Sequence, residues 1–378
     1  MACRLPYVWC AKRTLCLCQQ TTLMRLEPRT SISPLATASA GLGAIAFTLV
    51  VCALLILWAN ADVFTAYGAI FTGAFGSRFA ITETLTRATP LIFTGLAAAV
   101  AFRARLYNIG AEGQLYVGAI VAVAASMWMT NEAGELGLPV ALAFPLMIAA
   151  GALAGALLLL IPTLLKTAFK VDEVVTTLLL NFIALLFVSM LLDGPMKDPT
   201  AMGWPQSPTL LADLEFSKLM RRARVHSGLL FASVISVVLW CVLSFTRFGL
   251  ALRAVGASPR GAAFAGISVN ATLIKVALIS GALAGLAGVG EVAGRTGYVT
   301  LDMSPGYGYS GIVIAMLAGL NPLGVVLAAV FVGAAIVGAD AMSRVVNVPT
   351  YIADVIVATA LIAGLVSGLL THYKVKWR

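Results

Sequence analysis

Residues 139–161 read PVALAFPLMIAAGALAGALLLLI, 23 positions without a charged side chain. At a rise of about 1.5 Å per residue such a run makes a helix about 34 Å long, enough to cross the roughly 30 Å hydrocarbon core of a bilayer. Comparable apolar runs lie at 41–59, 82–102, 112–129, 174–192, 228–245, 272–290, 306–319, 323–340 and 350–370. The fold class that follows is an all-α polytopic membrane protein of about ten transmembrane helices. Composition agrees: of 378 residues 60% are apolar and 11% charged, against about 45–50% and about 25% in soluble domains. A soluble or disordered chain is excluded, and the 35 glycines follow no three-residue period, which excludes a collagen-like one.

Lysine and arginine number 25 and aspartate and glutamate 16, a net charge of +9. The basic residues are scattered over loops and ends without interleaved aromatics, so the partner they imply is the lipid surface and not nucleic acid. With both termini cytoplasmic, the inner segments collect 16 of the 25 basic residues, as the positive-inside bias requires. The dissent is the 193–227 loop, which carries Lys197, Lys218, Arg221, Arg222 and Arg224 on the outer side. The organisation reads as a cytoplasmic leader (1–40), a transmembrane domain (41–370) with a cytoplasmic loop at 246–271, and a cytoplasmic tail (371–378). Residues 1–23 read either as part of the leader or as an over-extended start, Met24 then opening an ordinary leader. Cys3, Cys10, Cys16 and Cys18 fall in that segment, Cys52 and Cys241 sit in apolar runs as small hydrophobes, and no CxxC pair or disulfide framework exists.

Small residues crowd the runs, as in GALAG at 151–155 and again at 281–285. They suit close helix packing in lipid, or backbone lining a pore. Three polar constellations interrupt the apolar pattern. In NIGAEGQ (108–114) glycines flank Glu112, which predicts a helix break. Glu112 then either pairs with Arg105 in an interfacial turn, or joins Asn108 and Gln114 along a solute path. In RFGLALRAVGASPRGAAFAGIS (247–268) Ser258 can cap a helix whose first position is Pro259, with Gly266 at its end. That short helix is either a knob for a partner's groove or a plain interfacial helix. In EVAGRTGYVTLDMSPGYGYSGIVIAMLAGLNPLG (291–324), Tyr298, Tyr307 and Tyr309 form an interface belt or flank a polar solute.

Enzymatic motifs are missing. There is no GxxxxGK[ST] phosphate loop, no GxSxG elbow, and the two histidines, His226 and His372, belong to no metal-ligand spacing. Asp172 and Glu173 are neighbours and so point to different faces; they read as the solvated start of a span. No catalytic residue, metal site or cofactor is expected in this chain.

The segments YNIGAEGQLYVGA (107–119), VDEVVTTLLLNFIA (171–184), LRAVGASPRGAAFAGISV (252–269) and GYGYSGIVIAMLAGLNPLGV (306–325) together resemble the permease subunits of ATP-binding-cassette importers. The resemblance is to the branched-chain amino-acid, ribose and nucleoside permease family, most closely its nucleoside or simple-sugar branch, and it runs from about residue 40 onward in order. It implies a bacterial inner-membrane protein working with separate ATPase subunits that hold ATP and Mg, an extracytoplasmic substrate-binding protein, and a second permease. A paralogue is the preferred second permease and a second copy the alternative. It further implies that the loop around Arg253, Gly256, Ser258, Pro259, Arg260, Ala262, Ala263 and Gly266 couples to the ATPase. One departure is MLAGLNPLG (316–324), with Leu320 where that branch often carries a basic residue. The expected function is inward passage of a nucleoside or related sugar-like solute by alternating access, along a path drawing on Asn108, Glu112, Gln114, Asn181 and Glu291. The rival readings are an ion-coupled secondary transporter using Glu112, Asp340 or Asp354, and the same assembly carrying a sugar or branched-chain amino acid.

Overall fold

A computed structural model describes residues 24–28, 34–131, 134–220 and 223–377, with side chains placed from 41 to 371 outside the two short gaps. Residues 1–23, with their four cysteines, lie outside the described residues. The chain divides into two units, Met1–Ala53 with Ala358–Arg378, and Leu54–Val357. In the first, strand β1 (Met24–Pro28) pairs antiparallel with β2 (Tyr373–Trp377), Met24 opposite Trp377 and Pro28 opposite Tyr373. The same unit holds most of α1 (Pro34–Trp58) and the end of α13 (Thr350–His372).

In the second unit six helices begin at a residue whose side chain supplies a cap. Asp62 accepts from Thr65 N at 2.7 Å to open α2 (Val63–Phe75), and Ser77 accepts from Ala80 N at 3.0 Å to open α3 (Arg78–Arg103). After α4 (Ala111–Met129) and α5 (Val140–Phe169), Asp172 opens α6 (Glu173–Asp193) through Val174 N at 2.8 Å. Then come α7 (Gly228–Phe245), α8 (Arg247–Ala257), the short α9 (Pro259–Phe264), α10 (Val269–Glu291) with a π turn at Val292–Thr296, α11 (Tyr307–Leu317) and α12 (Pro322–Val345). Side-chain oxygens satisfy amides that a helix start leaves free.

Among the described residues eight helices are long and apolar enough to cross a membrane. Nine of the ten expected spans coincide with α1, α3–α7, α10, α12 and α13. The tenth, 306–319, is corrected: α11 has 11 residues, about 16 Å of helix. Its apolar run is real, but Gly306 holds a left-handed φ of 84° and starts the helix inside the protein, where Gly308 meets Glu112 and Gly311 meets Thr94. The 13-residue α2 was not anticipated because its run is too short to register as a span.

The two GALAG stretches pack on each other in antiparallel register, Gly155 facing Gly281 and Gly151 facing Gly285. A Cβ on Gly155 would lie 2.8 Å from the Gly285 Cα, and one on Gly281 2.8 Å from the Ala156 Cα. Two backbones approach there as only small residues allow, in a medium where packing and not water drives association. Of the two readings of these residues, helix packing is the one observed at this contact.

One end of the second unit carries the 194–227 segment, whose Ser207, Leu210 and Phe216 amides donate to the Val299, Gly297 and Ala293 carbonyls at 3.0, 2.7 and 2.8 Å. The opposite end carries α8 and α9, where Gly256 is pressed against the Arg103 carbonyl. We call these the long-loop end and the short-helix end. Between α10 and α11 the chain leaves the long-loop end, passes through 297–306 into the interior, and emerges at the exposed turn around Gly319.

Candidate functional site

The helix break predicted at NIGAEGQ is present: α3 stops at Arg103 and α4 starts at Ala111. What fills the gap is a saturated knot of amides. Asn108 and Gln114 exchange two side-chain hydrogen bonds of 2.9 Å, Asn108 Nδ2 also donates to Ser280 Oγ at 3.3 Å, and Ser280 donates to the Ala97 carbonyl at 2.8 Å. The Gly110 amide donates to Asn108 Oδ1 at 3.1 Å, and the Ile109 amide to Thr177 Oγ1 at 3.2 Å. Asn181 on α6 accepts from the Gly113 amide and donates to Tyr309 Oη at 2.6 Å. Glu112 does not pair with Arg105. Its carboxylate accepts from the Gly308 amide at 2.6 Å, at the N-terminus of the half-length α11, where a helix dipole favours negative charge. Asn108, Glu112, Gln114 and Asn181 are all buried. Four of the five residues expected on the path therefore come together, each partnered within the chain.

Glu291, the fifth, lies apart. It pairs with Arg295 one turn on, across the π turn, and Arg295 Nη2 donates to the Met303 carbonyl at 2.9 Å. Facing it is a charged cluster that the sequence reading did not assemble. Arg87 on α3 lies 3.6 Å from Glu83 and 3.6 Å from Asp340 on α12, and Arg87 Nη1 reaches Tyr307 Oη at 3.4 Å. Arg224 from the long loop stands 3.8 Å from Glu83. Every one of these separations exceeds the 2.7–3.2 Å of a good N–H···O hydrogen bond, and buried Glu83 Oε2 and Arg87 Nε make no hydrogen bond. The group lines a cavity of about 340 Å³ with Phe79 and Arg344. A signal did exist: Glu83/Arg87, Glu291/Arg295 and Asp340/Arg344 are three acid-then-arginine pairs at i,i+4 in or at the ends of apolar runs, the spacing that puts both side chains on one helix face. Tyr307 is fully buried, so it belongs to this interior and not to an interface belt.

At the long-loop end, His226 is buried, stacks on Phe216 with ring centroids 5.6 Å apart, and has no partner at Nδ1. Burial pushes its imidazole down to about 4. Glu173 turns inward to pair with Lys166 while its neighbour Asp172 caps α6.

At the short-helix end the expected cap is realised. Ser258 Oγ accepts from Gly261 N at 3.1 Å, Pro259 is the first helical residue, and Gly266 takes a left-handed φ of 79° just past the end. Gly256 and Ala262 are buried and fasten the segment to the body, whereas Arg253, Ser258, Pro259, Arg260, Ala263 and Gly266 are exposed. Phe264, not singled out from the sequence, is 96% exposed. Among the described residues no group of His, Cys, Asp or Glu is placed to hold a metal ion.

The family model for the branched-chain amino acid transport system permease component matches residues 80–366. This chain belongs to that permease family. It is 34% identical to a glucose ABC transporter permease of Haloferax volcanii over 93% of each chain. A guanosine ABC transporter permease of Bacillus subtilis is 34% identical over 82% of this chain and 88% of its own. A nucleoside ABC transporter permease of Lactococcus lactis is 31% identical over 84% and 88%. No solved structure matches. The chain is thus a multi-pass membrane permease component and not an enzyme, of a family whose members work with an ATPase and a substrate-binding protein.

Proposed function

We propose that this permease carries a nucleoside or related sugar-like solute into a bacterial cytoplasm, at the inner membrane, with the short-helix end facing the cytoplasmic ATPase. The observation that carries the reading is α9: a capped, six-residue helix fixed to the body by Gly256 and Ala262 that leaves Phe264 almost wholly exposed, with Arg253 and Arg260 exposed as well. An aromatic so placed at the tip of a capped helix suits a partner's pocket. The cargo follows from the relatives, which are named for guanosine, nucleosides and glucose.

The orientation in this reading rests on the positive-inside bias. Among the described residues eight helices are long and apolar enough to cross, and our reading takes α4 and the 297–317 segment as two further passes. With about ten passes both termini lie on the cytoplasmic side, as the positive-inside bias favours. Nucleotide binding then closes the ATPases, moves α9, and through α8 and the end of α3 rocks the helices around the path, an alternation of rigid packed bodies. The resemblance to the nucleoside branch favours a heterodimer with a paralogous permease. ATP and Mg belong to the partner.

Affinity capture of tagged permease in mild detergent tests this. Recovery of a nucleotide-binding subunit with ATPase activity, lost on Arg253→Glu or Phe264→Asp, supports it; capture of the chain alone from both wild type and variants overturns it.

A further inference from the structure

The charged cavity at the long-loop end remains unused by the coupling argument, and its chemistry is specific. Glu83, Arg87 and Asp340 are drawn from α3 and α12, Arg224 and Arg344 add positive charge, and Phe79 supplies an exposed ring. These groups stand 3.6–3.8 Å apart where ion pairs could close to hydrogen-bond distance, and Glu83 Oε2 and Arg87 Nε are left without hydrogen bonds. Burying charge at such separations is costly unless something else completes the pairing. A carboxylate oxygen that accepts, beside a guanidinium nitrogen that donates, matches the two faces of a hydroxyl group, which is donor and acceptor at once. The volume of about 340 Å³ falls within the roughly 300–1,000 Å³ of small-molecule sites.

We infer that this cavity is a solute subsite that holds a vicinal diol, the feature shared by a ribonucleoside and a pyranose sugar. Glu83 accepts from the two hydroxyls, Arg87 donates through Nε to one hydroxyl oxygen, and Phe79 covers the apolar face of the sugar ring. Arg224, from the long loop, lies across the mouth, so solute entering between the carboxylate and this arginine replaces their 3.8 Å contact. This deepens the importer reading and rests on it for the class of solute.

The test uses the purified permease–ATPase complex in lipid nanodiscs without the binding protein, observed by saturation-transfer difference NMR with guanosine, 2′,3′-dideoxyguanosine and glucose as probes. The expected result is saturation of the guanosine ribose protons, affinity roughly tenfold lower for the dideoxy compound, the loss of charge-assisted hydrogen bonds, and a similar loss for guanosine in Glu83→Gln. Equal binding of the two nucleosides to the wild type, undiminished binding in a folded Glu83→Gln complex, or no binding of any probe overturns the inference. The wild-type comparison decides even where the variant fails to assemble. Uptake by the complete assembly is read separately. ATP-driven uptake combined with hydroxyl-blind binding sinks the subsite and leaves the importer standing. No ATP-driven uptake of guanosine or glucose sinks the importer reading.

Discussion

Two polar regions lie inside the same apolar bundle and are built on opposite rules. In the amide knot around Asn108, distances run from 2.6 to 3.3 Å and the side-chain amides, the Glu112 carboxylate and the loop amides find partners. In the cluster around Arg87 the separations run from 3.4 to 3.8 Å and two buried polar atoms have none. The knot uses neutral amides, whose desolvation is offset by reciprocal hydrogen bonds; the cluster uses full charges, whose desolvation is not. A saturated network fixes one arrangement of α3, α4, α6 and α11. An unsaturated one beside a cavity leaves room for another arrangement or another molecule.

The comparison breaks first at Asn108. Asn108→Leu strands the Gln114 amide and the Gly110 N–H, about 1–3 kcal/mol for each buried group, and is expected to abolish folded expression in fluorescence-detected size exclusion. The Asn108→Leu/Gln114→Leu double variant should recover much of that loss, since both partners leave together. A single variant of wild-type stability would show that the knot is no clamp.

The long-loop end should respond to pH. The His226 imidazole stands at about 4 in the folded chain against 6.5 free, so the unfolded chain binds more protons between these values and stability falls as pH falls. The full effect below pH 4 is roughly 3 kcal/mol, from about 1.36 kcal/mol per pKa unit. Hydrogen exchange at residues 207–216 is expected to quicken from pH 6.5 towards 4 before the amides of 108–114 do. Equal acceleration of both would contradict the distinction.

Arg87→Gln leaves the largely buried Glu83 carboxylate without its nearer counter-charge, a loss of about 3 kcal/mol, and lowers uptake per folded molecule at least about tenfold, the equivalent of 1.4 kcal/mol. If instead it unfolds the protein while uptake per folded molecule is unchanged, the cluster is structural like the knot. Glu112→Gln retains an acceptor for Gly308 N and removes the charge facing the α11 dipole, a loss of about 1 kcal/mol in thermal stability.

Much of this molecule was legible in the sequence because lipid imposes a simple rule: apolar runs of about 20 residues become helices. That rule placed the eight helices long and apolar enough to cross a membrane and the helix α4 besides, and cap chemistry placed the start of α9 at Ser258 and Pro259, with Gly266 just past its end. The rule failed at 306–319, where hydropathy registers an apolar run without registering that Gly306 starts the helix at Glu112, already inside. Asn108, Glu112 and Gln114 stood out because they cluster around Gly110 and Gly113, and the partners of this stretch, Ser280, Asn181 and Gly308, come from far along the chain. Glu83 and Arg87 were passed over since a lone pair of charges in a threonine-rich run reads as ordinary. Only packing brought Asp340 and Arg224 to them. Phe264 was missed because its exposure depends on which face Ala262 turns inward.

The central claim is that partner-bound nucleotide, acting through α9, drives solute through this chain. Proteoliposomes containing the permease pair, the ATPase and the binding protein, loaded with ATP and given radiolabelled guanosine outside, test it most directly. Uptake that requires ATP, survives an uncoupler and is abolished by Phe264→Asp is the predicted result. Uptake by the permease alone that needs no ATP and collapses with the uncoupler would contradict the account and turn attention to Glu112, Asp340 and Asp354.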